Sequence, residues 1–116
     1  IENKIIQAGD LEFGKRENLD YGKVGTGKSG LGTIKSETNE NFKYKRGSVG
    51  LARTIQLNTE DSQFFIILKD EPLYRGEYTP VGTVLYGMKV LEKIKFIHKM
   101  PIVPRPDFIN SFKMLN

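Results

Sequence analysis

The chain has no cysteine among its 116 residues, which excludes disulfide bridges and thiolate metal sites and leaves the redox compartment open. Histidine is nearly absent too: His98 stands alone, in a polar segment where a surface position is expected. Neither a nucleophile–histidine–acid triad nor a cluster of metal-ligating side chains can be read, and no cofactor is implied. No stretch approaches the roughly 18 consecutive apolar residues of a membrane span, and no signal peptide is evident. One-signed charge is also lacking, since 18 basic against 14 acidic side chains give a net charge of +4 without any block. That is the pattern of a solvated surface. A small basic nucleic-acid-binding barrel would need a continuous basic stripe with exposed aromatics, so no nucleic acid is expected as a partner.

The length allows a single domain over residues 1–116, with one core. A hydrophobic content of 38% fits a soluble globular protein rather than a disordered one. The first residue is Ile1 rather than Met, so sequence upstream of it is expected. Lys4 to Gln7 is a short strand candidate ending at the turn Ala8-Gly9-Asp10. Leu11 to Gly32 is polar and glycine-rich, a long loop, and Thr33 to Tyr44 is charged and weakly patterned. Ser48 to Ala52 is a small-residue strand whose Gly50 suggests a close backbone approach. A strand is also expected over Val81 to Leu85. Val90, Leu91 and Ile94 recur at helical spacing, predicting an amphipathic helix over Gly87 to Lys95. Pro101, Pro104 and Pro106 enforce an extended stretch before a closing apolar strand, Phe108 to Leu115.

Gly22-Lys23-Val24-Gly25-Thr26-Gly27-Lys28-Ser29 satisfies the phosphate-loop pattern GxxxxGK[ST]. That pattern confers phosphate binding only between a buried strand and a helix N-terminus. Arg16 to Asp20 is no buried strand, and Gly30 and Gly32 each cost a helix roughly 1 kcal/mol relative to alanine. A glycine-rich surface loop is the better account.

The long apolar run is Asp61-Ser62-Gln63-Phe64-Phe65-Ile66-Ile67-Leu68. Its β-branched and aromatic residues favour a strand. Alternation puts Phe64, Ile66 and Leu68 on one face, expected to be closed core. Gln63, Phe65 and Ile67 share the other face. An amide beside an aromatic ring there suits a pocket for an apolar group on a polar backbone.

Ordered segments of this chain resemble the cyclophilin family of peptidyl-prolyl isomerases. Ile5-Ile6-Gln7-Ala8-Gly9-Asp10 looks like its apolar pair followed by Gln-Gly-Gly-Asp, and Gly25-Thr26-Gly27-Lys28-Ser29 resembles its Gly-Thr-Gly-Gly loop. Gly47-Ser48-Val49-Gly50-Leu51-Ala52-Arg53 is similar to its Gly-x-x-x-Met-Ala strand, and Ser62-Gln63-Phe64-Phe65-Ile66 matches Ser-Gln-Phe-Phe-Ile letter for letter. Leu73-Tyr74-x-Gly76-x-Tyr78 with Val81-Gly82-x-Val84 follows its next pattern, and Gly87-Met88-x-Val90 its helix start.

The resemblance implies a mainly β fold: a closed antiparallel β-barrel with one or two flanking helices. The family's first strands and first helix would precede Ile1, so a further chain segment or a partner is expected to complete the barrel. It also implies a site. Ile5, Leu51, Phe65 and Tyr74 would hold the substrate proline, with Gln7 and Gln63 bonding its backbone and the main chain of Arg53 pairing alongside. Ala52 and Thr54 would line the groove and Gly25 its rim. Leu73 stands where many eukaryotic members have tryptophan, and Tyr78 where they have histidine, as in bacterial members. Lys4 takes the place of a usual phenylalanine. The family's catalytic arginine would lie upstream of Ile1, and neither Arg53 nor Arg75 is assigned that role.

The implied activity is acceleration of rotation about X–Pro bonds in client proteins during folding, without metal or cofactor. A peptide-binding or assembly module that keeps the groove but not the turnover is the alternative. The substitutions lean bacterial, toward a soluble protein of the cytoplasm or periplasm.

Overall fold

The structure is a computed structural model that describes residues 4–94 and 106–115. Its frame is an antiparallel sheet of four short strands, β1 (Ile5–Ala8), β2 (Ser48–Leu51), β3 (Phe64–Ile67) and β4 (Pro80–Thr83), in the order β1-β3-β2-β4. β1, β2 and β4 sit within a residue or two of their expected positions, and β3 occupies the middle of the expected Asp61–Leu68 run. The isoleucines of β1 and the Phe-Phe-Ile-Ile run of β3 suit a pleated, partly covered surface. β4 starts at Pro80, an edge position where a missing N–H costs the ladder nothing.

β3 pairs Ile5 with Ile67 and Gln7 with Phe65 on one side, and Gly50 with Phe65 and Leu51 with Phe64 on the other. A register shift between Val49 and Gly50 bends β2 against β4. Among the described residues β1 and β4 are both edges, so the sheet is open where the resemblance implied a closed barrel. The four described strands, of four residues each, leave their two edges unpaired with one another, whereas a barrel just filled by its own side chains has about eight.

Residues opposite one another in an antiparallel pair point to the same side. Ile5, Gln7, Gly50, Phe65 and Ile67 therefore share one face, and Ile6, Ala8, Leu51, Phe64 and Ile66 the other. The first face is the better covered. Phe65 is 2% exposed and Ile67 0%, packed beneath Tyr44 with Ile5, Phe42, Ala52, Tyr74 and Tyr78 around them. Phe64 and Ile66 are only half-buried, so of the three residues expected to form the closed core only Leu68, just beyond β3, is buried. The cause is non-local: the aromatic rings come from the irregular 42–44 and 74–78 segments. On the opposite face, among the described residues, the ring of Phe112 lies 5.7 Å from that of Phe64.

Two other elements also differ from expectation. The helix α1 spans only Met88–Leu91, beginning after Gly87 in a left-handed conformation with no side-chain cap. Val90 is 68% exposed, so little apolar burial stabilises further turns, and a single turn is close to the cost of nucleation. Phe108–Leu115 forms no strand, and Leu85 lies beyond β4. Lys95, His98, Pro101 and Pro104 lie outside the described residues. Among the described residues no helix is long and apolar enough to cross a membrane.

A buried carboxylate ties the loops to the sheet. Glu60 is fully buried and accepts hydrogen bonds from Ser36 Oγ at 2.6 and 2.9 Å and from Thr79 Oγ1 at 3.0 Å. Burial alone would raise its pKa, but the Ser36 hydroxyl, its own backbone N–H, the Thr79 hydroxyl and the Arg53 charge together bring it below the ordinary value.

The unfolded chain then binds more protons in the window between the two values, so this contribution is complete above about pH 4.3 and lost as pH falls through the folded value. Glu60→Gln is expected to cost about 2 kcal/mol in urea unfolding at neutral pH, the range for leaving buried hydroxyls poorly matched. The difference from wild type should shrink in acid, and a pH-independent difference would contradict the assignment. At Gly50 an added methyl would meet the Phe65 ring at 2.5 Å from Cζ. Gly50→Ala should therefore lower stability by about 1–3 kcal/mol, measured by the same unfolding curves.

Candidate functional site

Phe65 projects from the middle of β3 into a nest of rings. Tyr74 and Tyr78 meet it edge-on at centroid distances of 5.4 and 5.2 Å, and pack against each other at 4.7 Å. Tyr44 lies behind, 5.7 Å from Phe65, and its hydroxyl donates to the Tyr78 carbonyl at 2.8 Å. Burial, with Tyr78 close by, pushes the Tyr44 phenol up, and burial with Tyr78 and Glu71 does the same to Tyr74. Both hydroxyls stay neutral donors at physiological pH. Because Phe65 is almost fully covered, the accessible part of this apolar nest is presented by Tyr74 and Tyr78, with Phe65 as its floor.

The amides stand at one end of the same face. Gln7 Nε2 donates to Gln63 Oε1 at 2.8 Å. Gln63 Nε2 in turn donates to the carbonyls of Gly25 and Gly27 at 3.1 and 2.8 Å. The pair follows from the register: Gln7 lies opposite Phe65, and Gln63 precedes Phe65 by two on the same side. Gly25 is thereby fixed beside them as an exposed rim. Sequence reasoning paired the amides with a substrate backbone and did not see that they also bond each other and the loop.

The other expected site residues divide. Ile5 and Ala52 pack on the Phe65 cluster, and the Ala52 N–H donates to the Gln63 carbonyl at 2.9 Å. Leu51 does not join them. It is opposite Phe64, so the alternation that brings Gly50 under Phe65 turns Leu51 to the other face, and its place in the apolar pocket is corrected. Leu73 is 80% exposed at the outer edge beside Tyr74. Thr54 is occupied in a turn, its N–H and Oγ1 bonding Thr59 Oγ1 at 3.0 and 2.9 Å.

Arg53 lies with its guanidinium 5.0 Å from the Tyr78 ring centre. Its nitrogens donate to the Glu77 carbonyl at 2.7 and 3.0 Å and to the Thr54 and Ile55 carbonyls. That guanidinium is committed to holding the wall in place. Lys4 extends to Glu71 at 3.3 Å, and Glu71 also accepts from the Leu73 N–H at 3.2 Å.

The loop with the phosphate-binding letters is explained by carboxylates of the chain itself. Asp10 Oδ2 accepts from the Gly25 and Gly27 N–H groups at 2.7 and 3.0 Å. The Lys28 N–H bonds Glu12 at 3.2 Å and the Ser29 N–H bonds Asp61 at 3.1 Å. The donors that would cradle a phosphate already hold anions, in agreement with reading this segment as a surface loop. Asp10 was quoted in the sequence only as part of a motif. Its signal was its position after Gly9, in a turn where a short carboxylate can reach neighbouring N–H groups.

A cavity of about 860 Å³ lies mostly on the opposite side, between the Gln7–Leu11 turn, Phe64 and residues 106–112. Arg16 fastens that outer segment, bonding Asn110 at 3.0 Å with its guanidinium 5.0 Å from the Phe108 ring. Gln7, Gly25 and Gln63 border this cavity, but the tyrosine nest is not part of it.

The family model described as cyclophilin type peptidyl-prolyl cis-trans isomerase/CLD matches residues 1–111. A probable peptidyl-prolyl cis-trans isomerase of Brucella abortus is 41% identical over 96 residues, covering 82% of this chain and 48% of the relative. A peptidyl-prolyl cis-trans isomerase of Helicobacter pylori is 44% identical over 75 residues, covering 61% of this chain and 45% of the relative. The chain thus spans about half the length of the curated relatives it matches. Among solved structures, a Cryptosporidium parvum cyclophilin type peptidyl-prolyl cis-trans isomerase superposes with a TM-score of 0.62 at 29% identity, over 78% of this chain and 54% of that one. Motif order, strand register and these likenesses agree: the chain belongs to the cyclophilin-type peptidyl-prolyl cis-trans isomerase family.

Proposed function

We propose that the protein accelerates cis–trans rotation about X–Pro bonds in extended segments of client proteins. The observation that carries this reading is the convergence, on one face of the sheet, of the Phe65–Tyr74–Tyr78 nest with the Gln7–Gln63 amide pair. An aromatic nest is suited to a pyrrolidine ring, and amides at its edge are suited to the flanking peptide. The Cryptosporidium parvum relative was crystallised in the presence of the dipeptide Ala-Pro, a compound of the same chemistry.

Rotation breaks amide resonance and faces a barrier of about 18–20 kcal/mol. Catalysis requires the site to bind the twisted amide better than either planar form. Here the rings would grip the proline in a desolvated pocket, so that rotation moves the acyl side. Gln7, whose carbonyl oxygen is not used in the amide pair, would bond the flanking backbone while Gln63 steadies it. A donor aimed at the prolyl nitrogen would stabilise the lone pair released on twisting. Arg53 is not given that role, because its guanidinium is already bonded to three carbonyls.

That same commitment of Arg53 favours, as a second reading, a module that binds proline-containing segments without turning them over. The two separate in a single assay. Isomerisation of a proline tetrapeptide should be accelerated over the uncatalysed tens to hundreds of seconds, whereas saturable binding with no acceleration would establish the module.

Gln63→Ala should lower kcat/KM by about tenfold or more, on the scale of losing a positioned transition-state contact. Stability should fall by only about 1–2 kcal/mol, the worth of the bonds to Gly25, Gly27 and Gln7. Unchanged turnover in a folded variant would remove Gln63 from the site.

A further inference from the structure

We propose that Asp10 is a positioning residue for this groove, acting through the Gly25–Gly27 loop on the Gln63–Gln7 amide pair. The inference rests on the prolyl-isomerase reading of that pair. Its ground is a two-sided grip. Asp10 Oδ2 takes the Gly25 and Gly27 N–H groups from one side. Gln63 Nε2 takes the carbonyls of the same two residues from the other. Asp10 Oδ1 meanwhile accepts from the Glu12 and Phe13 N–H groups at 3.0 and 2.8 Å, which fixes the carboxylate to its own turn. Gly27 is buried, and a methyl on it would overlap Asp10 Oδ1, so the loop cannot sit at this distance with a larger residue.

The chemistry of the group matters here. An ionised carboxylate is an acceptor at both oxygens, matched to four N–H donors. Burial alone would raise its pKa, yet the bonds from Phe13, Gly27, Gly25 and Glu12 keep it below the ordinary value. An asparagine in its place presents one oxygen, and its NH₂ then confronts two N–H donors. The loop must shift, and Gln63, bonded to both loop carbonyls, must shift with it. Gln7 follows through its 2.8 Å bond to Gln63.

The test compares Asp10→Asn with Ser62→Ala. Ser62 bonds the Gly9 carbonyl at 2.6 Å, so its loss loosens the same turn without touching the 25–27 loop. In isomerisation of a proline tetrapeptide, Asp10→Asn should raise KM and lower kcat/KM by about tenfold, within the ~100-fold that a 1 Å misplacement can cost. A smaller folded fraction would reduce the apparent kcat and leave KM unchanged. Ser62→Ala should leave KM as in wild type.

The side-chain amide resonances of Gln7 and Gln63 provide a readout independent of turnover. They should move in Asp10→Asn and stay in Ser62→Ala. An unchanged KM together with unmoved glutamine resonances overturns the proposal. If wild type itself shows no isomerisation, the functional reading fails while the resonances still decide whether Asp10 positions the pair. Should Asp10→Asn not fold, Thr26→Ala is the substitute. It releases the loop from the Lys23 carbonyl at 2.6 Å on an exposed surface, and must move the same resonances or the proposal falls.

Discussion

The contact on which this structure turns is the face of Phe65 laid against the bare backbone of Gly50. A Cβ at position 50 would stand 2.5 Å from the ring, so β2 and β3 can hold their register with this ring between them only if that residue is glycine. The ring then fills the space a side chain would take. Its edges become the surface on which Tyr74 and Tyr78 pack. Through those tyrosines the 71–78 segment, which opens with a 3₁₀ turn over Pro72–Tyr74, is held to the sheet, and Arg53 is drawn over the outermost ring. Burying an aromatic side chain is worth a few kcal/mol, and here one burial organises both the core and the wall of the site.

The second constraint is polar. Long glycine-rich connections expose many main-chain N–H groups, and such donors must be satisfied when they lie against the protein. This chain does so with its own anions: Asp10, Glu12 and Asp61 each take N–H groups from the 25–29 segment. Inside the protein Glu60 accepts from hydroxyls instead, joining Ser36 and Thr79. A loop without regular structure thus acquires a defined place beside β3. Gln63 ties that placement to the candidate site, because its amide donates to the loop on one side and accepts from Gln7 on the other.

Much of this was legible from residue types. The strands around Ile5 and Phe64 announced themselves by β-branched and aromatic content and the one at Ser48 by small residues around Gly50, and the amide at Gln63 stood out because an apolar strand has little reason to carry one. Alternation also sorted Phe64 from Phe65 correctly. It could not say which face would be covered, since that depends on Tyr44, whose segment carries no periodicity and reaches the core only through tertiary contacts. Leu51 was misplaced for a related reason. A resemblance assigned it to the pocket, whereas counting one residue from Gly50 in the register turns it away. The helix after Gly87 was overextended because helical spacing at Val90, Leu91 and Ile94 says nothing about whether a surface exists to bury them. Asp10 was visible only as a letter in a motif, because its partners lie 15 and 17 residues away.

Tyrosine at positions 74 and 78 gives this groove its own character. A histidine at position 78 would bring a charge that changes near neutrality. The phenol ring brings aromatic area instead, and burial keeps its neighbour Tyr74 uncharged well above neutral pH. The ring at 78 is also held from outside, since Arg53 stacks on it while bonding the Glu77 carbonyl beside it. A wall fixed in this way loses little freedom when a ligand arrives, which is the sense in which preorganisation favours binding. The same fixing leaves Phe65 almost wholly covered. An apolar ring entering this nest would therefore meet the tyrosine faces first, with Phe65 and Gly50 setting its depth from below.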